Sequence, residues 1–131
     1  MYYLGIDYGQ KRIGLALADK QGPAVPWKII DNKNTDNLVK EIVEIVASEQ
    51  LKGIVVGWPL SAAGKITERT TATDVFVKAL QAGIDCEVIL EDERMTSSIV
   101  RKAGVTGDID HKSAAHILQS YIERRHGQSN S

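Results

Sequence analysis

The sequence predicts an α/β fold in which helices flank a five-stranded mixed sheet. The first third of the chain alternates apolar and other residues at the period of two that is typical of strands. The middle carries an amphipathic helical pattern followed by a continuous apolar run, as expected of a buried strand. With 131 residues, the chain is expected to form one domain over residues 1–126 and a polar, disordered tail over residues 127–131.

Three strands are predicted to open the chain as an antiparallel meander. Tyr2–Asp7 and Arg12–Asp19 flank a short turn that contains Gly9. Val25–Ile30 is entered through prolines, which favours a sheet edge. Large aliphatic residues alternate with glycine and alanine in the second strand, so its small face should receive a closely packed element.

Helices and strands alternate in the rest of the chain. The predicted elements are helix Thr35–Gln50, strand Gly53–Gly57, helix Thr67–Ala82, strand Cys86–Glu91, helix Met95–Ala103 and helix Asp110–His126. Gly83 is expected to end the second helix. Because crossovers are right-handed, the first, fourth and fifth strands should be parallel neighbours. Open α/β sheets bind ligands at the carboxyl ends of such strands.

Acidic residues collect at that predicted edge. Asp7 ends the first strand, and Asp92 and Glu93 follow the fifth. Asp110 opens the last helix, one turn before its apolar stripe begins. Converging carboxylates repel one another unless a cation neutralises them. The edge is therefore expected to bind Mg²⁺ or Mn²⁺, which prefer hard oxygen ligands and can support phosphodiester hydrolysis.

Four motifs resemble those of the YqgF/RuvX family. They are Leu4–Ala16, Val55–Leu60 with Gly64, Asp92–Ser97, and Asp110 followed by Ala114–Tyr121. Together they cover nearly the whole chain in the family's order. The resemblance implies an RNase H-like fold and a hydrolase, an endonuclease that processes the 5′ end of the 16S rRNA precursor in ribosome biogenesis. The alternative that it implies is a Holliday junction resolvase acting on branched DNA in recombination and repair.

The resemblance also implies a site of three carboxylates. Asp7, Asp92, Glu93 and Asp110 are the candidate catalytic residues. The metal ligands are expected to be Asp7, Asp92 and Asp110. Side chains alternate at a strand end, so only one of Asp92 and Glu93 should face the site, and the sequence leaves that choice open.

Polar and basic residues near this edge are candidates for binding the phosphates of a structured RNA or branched DNA. The predicted substrate contacts are Arg12, Lys65, Arg94 and Thr96, and the predicted basic rim adds Lys11, Arg69 and Lys112. The formal net charge of −1 disfavours a strong non-specific nucleic-acid binder but permits a local rim.

Structural roles remain open for several of these residues. Asp7 could fix the turn that follows it, and Asp110 could cap the last helix. Arg94 could pair with a neighbouring carboxylate, and Thr96 could cap the short helix.

Two functions of other classes compete with the nuclease. An ATP-dependent phosphotransferase also opens with a strand followed by Asp-x-Gly. That class needs two domains, so a chain of 131 residues would have to dimerise to form one. A non-catalytic nucleic-acid-binding protein would not need the acidic residues that are present here. Symmetric cutting of a four-way junction would itself require a homodimer.

Composition predicts a cytoplasmic protein with no membrane partner. No apolar run approaches the roughly 20 residues of a membrane helix. The N-terminus lacks the pattern of a signal peptide. The single cysteine, Cys86, excludes an internal disulfide and fits a reducing compartment.

Overall fold

A five-stranded mixed sheet with helices on its faces forms the described part of the chain. The computed structural model describes residues 1–93 and 111–129, with the backbone alone for His111 and residues 127–129. The elements are β1 (Tyr3–Asp7), β2 (Arg12–Ala18), β3 (Val25–Asp31), α1 (Thr35–Glu49), β4 (Gly53–Trp58), α2 (Glu68–Gly83), β5 (Glu87–Asp92) and α3 (His111–Ser129). The strand order is β3-β2-β1-β4-β5. The β1–β2 and β2–β3 pairs are antiparallel and the β1–β4 and β4–β5 pairs are parallel, which confirms the predicted fold class.

Alternation along β2 divides the core into two layers. Ile13, Leu15 and Leu17 belong to the apolar cluster that includes the buried residues of α1 and α2. Ala16 and Ala18 belong to the cluster that includes the buried residues of α3. The sequence predicts a closely packed element on the small face of β2 without naming it, and that element is α3.

α3 lies against the backbone of the sheet. A Cβ atom added at Gly5 would lie 2.8 Å from the Cβ of Leu118 and 2.9 Å from the carbonyl oxygen of Ala114. Further along the helix, the ring of Tyr121 packs edge-on against Tyr3 at the start of β1, with centroids 5.6 Å apart. α3 therefore runs antiparallel to β1 and begins at the carboxyl end of that strand.

A fully buried carboxylate ties α3 to β5. Glu91 is 0% exposed and accepts hydrogen bonds from the Ser120 hydroxyl at 3.1 Å and from the Arg124 guanidinium. A buried charge is tolerated only when it is paired and hydrogen-bonded. Since both partners lie on α3, one turn apart, they fix the position of this helix along the sheet.

Helix ends differ from the sequence prediction by one to three residues, and the ends of α2 and α3 are the informative cases. Gly83 is the last residue of α2, and Ile84 after it has an extended backbone, so no left-handed glycine cap forms. Gly83 instead allows α1 to approach, because a Cβ there would lie 3.3 Å from Cγ1 of Val39. α3 continues to Ser129, beyond its predicted end at His126. The division of the chain at residue 126 stays a prediction, and the predicted helix over residues 95–103 lies outside the described residues.

We expect Gly5→Ala to lower the free energy of unfolding by about 1–3 kcal/mol, because the new methyl group would collide with the backbone of α3. Gly83→Ala is the control, since its Cβ would meet only a side-chain methyl group. It should stay within about 1 kcal/mol of wild type, because alanine is the better helix former. Urea denaturation measures both variants. Equal stability of Gly5→Ala and wild type would contradict the close packing of α3.

Candidate active site

The candidate functional side chains among the described residues lie at the carboxyl edge of the three parallel strands. Asp7 is the last residue of β1, and Trp58 and Asp92 end β4 and β5 directly opposite each other. The β1–β2 turn and the loop from β4 to α2 leave from the same edge. The sequence places its candidate residues at this edge, and the described structure agrees for Asp7, Asp92 and Glu93.

Asp7 is a buried carboxylate on the α3 side of the sheet. It is 3% exposed, and alternation along β1 places it on the same face as Tyr3 and Gly5, both of which contact α3. The Nη2 atom of Arg69 lies 3.2 Å from its Oδ1 atom. This contact ties Asp7 to α2, an element outside its own turn.

Glu93 lies beside β4 on the same face. Its backbone N–H donates to the carbonyl of Trp58 at 3.1 Å. A Cβ added at Gly57 would lie 3.0 and 3.1 Å from Cγ and Cδ of Glu93, so the glycine leaves the space that this side chain occupies. Ile89 packs in the α3-side cluster, so alternation along β5 assigns residue 93 to that side and Asp92 to the other.

Arg69 connects the two carboxylates. The same guanidinium nitrogen, Nη2, lies 3.2 Å from Asp7 Oδ1 and 3.4 Å from Glu93 Oε1. Sequence reasoning named Arg69 only as one member of a basic rim and missed this double contact. A signal was available, because a helix that follows a parallel strand begins near the carboxyl end of that strand, and α2 follows β4.

A capping box holds the first turn of α2 in place. The Thr67 hydroxyl accepts from the Thr70 N–H at 3.3 Å, and the Thr70 hydroxyl accepts from the Thr67 N–H at 3.0 Å. The buried Thr70 hydroxyl also donates to the carbonyl of Pro59, just after β4. These bonds fix the start of the helix, and with it the backbone of Arg69, relative to the end of β4.

Burial raises the pKa of Glu93 above the usual range of a glutamate. The nearby charge of Asp92 adds to this rise, and the guanidinium of Arg69 opposes it. Loss of hydration is the largest cause, so the ionised form of Glu93 depends on the positive charge beside it.

The other candidate residues divide into two groups. Arg12 begins β2 and Lys65 lies in the loop after β4, so both are exposed at the same edge. Arg94, Thr96 and Asp110 lie outside the described residues. Within residues 1–93 and 111–129, no three or more His, Cys, Asp or Glu side chains form a group that could hold a metal ion.

The fold is RNase H-like, and it brings two carboxylates together at the carboxyl edge of its parallel strands. Solved structures of this fold include Thermus thermophilus RuvC in complex with a Holliday junction substrate, with a TM-score of 0.64, 12% identity, and coverage of 97% of this chain and 96% of that one. Fowlpox virus resolvase with Holliday junction DNA gives a TM-score of 0.55 and 15% identity, covering 95% of this chain and 99% of that one. These similarities confirm the predicted fold.

The chain belongs to the RuvX family, since the family described as "RuvX: Holliday junction resolvase" matches residues 1–124. A protein of Maridesulfovibrio salexigens is 33% identical over 95% of this chain and 99% of its own length. One of Sulfurihydrogenibium sp. is 36% identical over 92% of this chain and 89% of its own length. Each is named "Putative pre-16S rRNA nuclease". The predicted family and the predicted class, a hydrolytic nuclease, are confirmed.

We expect Glu93→Gln to change how stability depends on pH. A carboxyl whose pKa is raised by folding binds its proton more tightly in the folded state. The contribution of Glu93 to wild-type stability therefore falls as pH rises from about 4.3, the ordinary pKa of a glutamate, through the raised value. The glutamine variant lacks this loss. The unfolding free energy of the variant minus that of wild type should therefore increase across this window, as measured by urea denaturation in metal-free buffer. Parallel pH profiles would contradict the burial of Glu93.

Proposed function

We propose that this protein is a metal-dependent endonuclease that processes the 5′ end of the 16S rRNA precursor. The observation that carries the proposal is the meeting of the Asp7 and Glu93 carboxylates at one cationic group. Family membership supports nuclease chemistry, and the names of the curated relatives support an RNA precursor as substrate.

The donor set fits a divalent cation. Asp7 and Glu93 offer hard carboxylate oxygens at a position that already attracts positive charge, which suits Mg²⁺ or Mn²⁺. The third proposed ligand is Asp110, because α3 begins at the carboxyl edge and Asp110 directly precedes it. Glu93 is preferred to Asp92 because Glu93 shares the face of Asp7. When bound, the cation would activate a water and stabilise the leaving oxygen of the phosphodiester.

The protein's own groups would position the nucleic acid. Arg12 and Lys65 are exposed at the carboxyl edge, where each can contact a phosphate oxygen. Arg94 and Thr96 are proposed to do the same, since they follow Glu93 directly in the sequence. Contacts to phosphates fix the substrate's register against the carboxylates without reading its sequence.

Resolution of Holliday junctions is the second candidate. The structures of Thermus thermophilus RuvC and Fowlpox virus resolvase with junction DNA favour it, since this chain shares their fold. It requires a homodimer, because a junction is cut at two symmetric positions. RNA specificity would require contacts to the 2′-hydroxyl groups.

Among the described residues, no helix combines the length and the apolar character that crossing a bilayer requires. We propose the cytoplasm as the compartment, because ribosomal RNA precursors are processed there and because Cys86, a free thiol, suits a reducing environment.

A cleavage assay with both substrates tests the proposed function. A 5′-extended 16S rRNA precursor and a four-way DNA junction are incubated side by side with wild type and with Asp7→Asn, Glu93→Gln and Asp92→Asn. We expect Mg²⁺-dependent cleavage of the RNA at its 5′ extension, loss of cleavage in EDTA, and losses of at least about 100-fold in Asp7→Asn and Glu93→Gln. Asp92→Asn should keep most of the activity.

Three outcomes would contradict parts of this proposal. Undiminished cleavage in excess EDTA would exclude the metal mechanism. Cleavage of the junction alone would establish the second candidate. Loss of activity in Asp92→Asn with activity retained in Glu93→Gln would reverse the assignment of the ligand.

A further inference from the structure

Arg69 occupies a position that is unfavourable for a cation on its own helix. It is the second residue of α2, where the helix dipole favours negative charge. The capping box and the bond from Thr70 to Pro59 nevertheless hold that turn at the edge. The negative charges of the two carboxylates offset the unfavourable interaction between the guanidinium and the helix dipole. Its place is therefore explained by the site and not by the stability of α2.

The two carboxylates and Arg69 differ in their freedom to move. The side chains of Asp7 and Glu93 are 4% and 19% exposed, whereas that of Arg69 is 48% exposed. Asp7 is fixed by its strand, and Glu93 is confined beside Gly57. The guanidinium can consequently swing into solvent while the carboxylates stay in place.

We propose that Arg69 is a tethered counter-cation that exchanges partners during the reaction cycle. It neutralises Asp7 and Glu93 in the metal-free enzyme, withdraws from them when a divalent cation binds, and then contacts a phosphate of the nucleic acid. This inference rests on the proposed function, because it takes the two carboxylates as metal ligands.

Electrostatics favours the first exchange. A guanidinium and a divalent cation that approach the same oxygens repel each other, and that repulsion is weakly screened at a partly buried edge. By linkage, the free energy by which Arg69 stabilises the metal-free state reduces the apparent affinity of the site for metal. Arg69 is therefore a positioning residue that sets the metal affinity of the site.

The chemistry of the guanidinium supports the second exchange. Its fork of N–H donors matches phosphate as well as carboxylate. Once the carboxylates bind metal, Arg69 stays tethered at the same edge by its helix. A substrate phosphate bound at this edge is then an anion within reach of the guanidinium.

Titration with Mn²⁺ tests the first exchange. Calorimetry is performed on metal-free wild type, Arg69→Gln, Arg69→Lys and Lys78→Gln. The last is the matched control, because Lys78 pairs with the carboxylate of Asp74 on the same helix, away from the edge. We expect Arg69→Gln to bind Mn²⁺ about tenfold more tightly than wild type and to melt at a lower temperature without metal. Arg69→Lys and Lys78→Gln should bind Mn²⁺ as wild type does.

Each contrary result has a distinct meaning. Unchanged or weaker Mn²⁺ binding by Arg69→Gln, with binding and cleavage intact in wild type, would overturn the inference and leave the proposed function standing. A wild type that neither binds Mn²⁺ nor cleaves would overturn both.

Salt dependence of RNA binding tests the second exchange. Fluorescence anisotropy of a labelled 5′-extended 16S rRNA fragment is measured in EDTA and in Ca²⁺. In Ca²⁺, the slope of log affinity against log salt should be shallower by about one for Arg69→Gln than for wild type. In EDTA, the two slopes should agree, because Arg69 is then held by the carboxylates. If the slope were shallower for Arg69→Gln than for wild type by the same amount in both buffers, Arg69 would contact a phosphate whether or not metal is bound. That result would contradict the exchange.

Discussion

Two carboxylates held at one partly buried edge repel each other, and the structure around Asp7 and Glu93 accommodates that repulsion. Arg69 places one nitrogen against both side chains. The capping box of α2 and the bond from Thr70 to Pro59 hold its backbone there. This local architecture stabilises negative charge at a position where hydration alone would not.

Close packing of α3 against the sheet determines where this helix begins relative to the carboxyl edge. Gly5 and the alanines of β2 let the helix approach the sheet, and the buried Glu91 fixes it lengthwise through Ser120 and Arg124. The start of α3 is thereby held at the carboxyl end of β1. That constraint is the reason for proposing Asp110, which directly precedes α3 in the sequence, as a third ligand.

Much of the fold could be predicted from the sequence because it follows from short-range patterns and one topological rule. The two faces of β2 are visible as alternating large and small residues, and right-handed crossovers make β1, β4 and β5 neighbours. Asp7 was identifiable as a strand-end acid for the same reason. The end of α2 was less predictable, because Gly83 serves the approach of α1 and not a helix cap.

The finer details of the site depend on packing between elements, which the pattern of one element does not encode. Alternation separates Asp92 from Glu93. However, only the packing of Ile89 and the space beside Gly57 show that Glu93 lies on the α3 side. The double contact of Arg69 depends on the reach of a long side chain from another element. Because Asp7 pairs with Arg69, Asp7→Asn would remove an ion pair as well as relieve repulsion between carboxylates.

Anomalous scattering from crystals soaked in Mn²⁺ tests the central claim most directly, namely that the pair at this edge is a metal site. We expect a peak about 2.1 Å from a carboxylate oxygen of Asp7 and of Glu93, with the Arg69 guanidinium withdrawn from both. A peak held by Asp92 in place of Glu93, or no peak at this edge at saturating Mn²⁺, would contradict it.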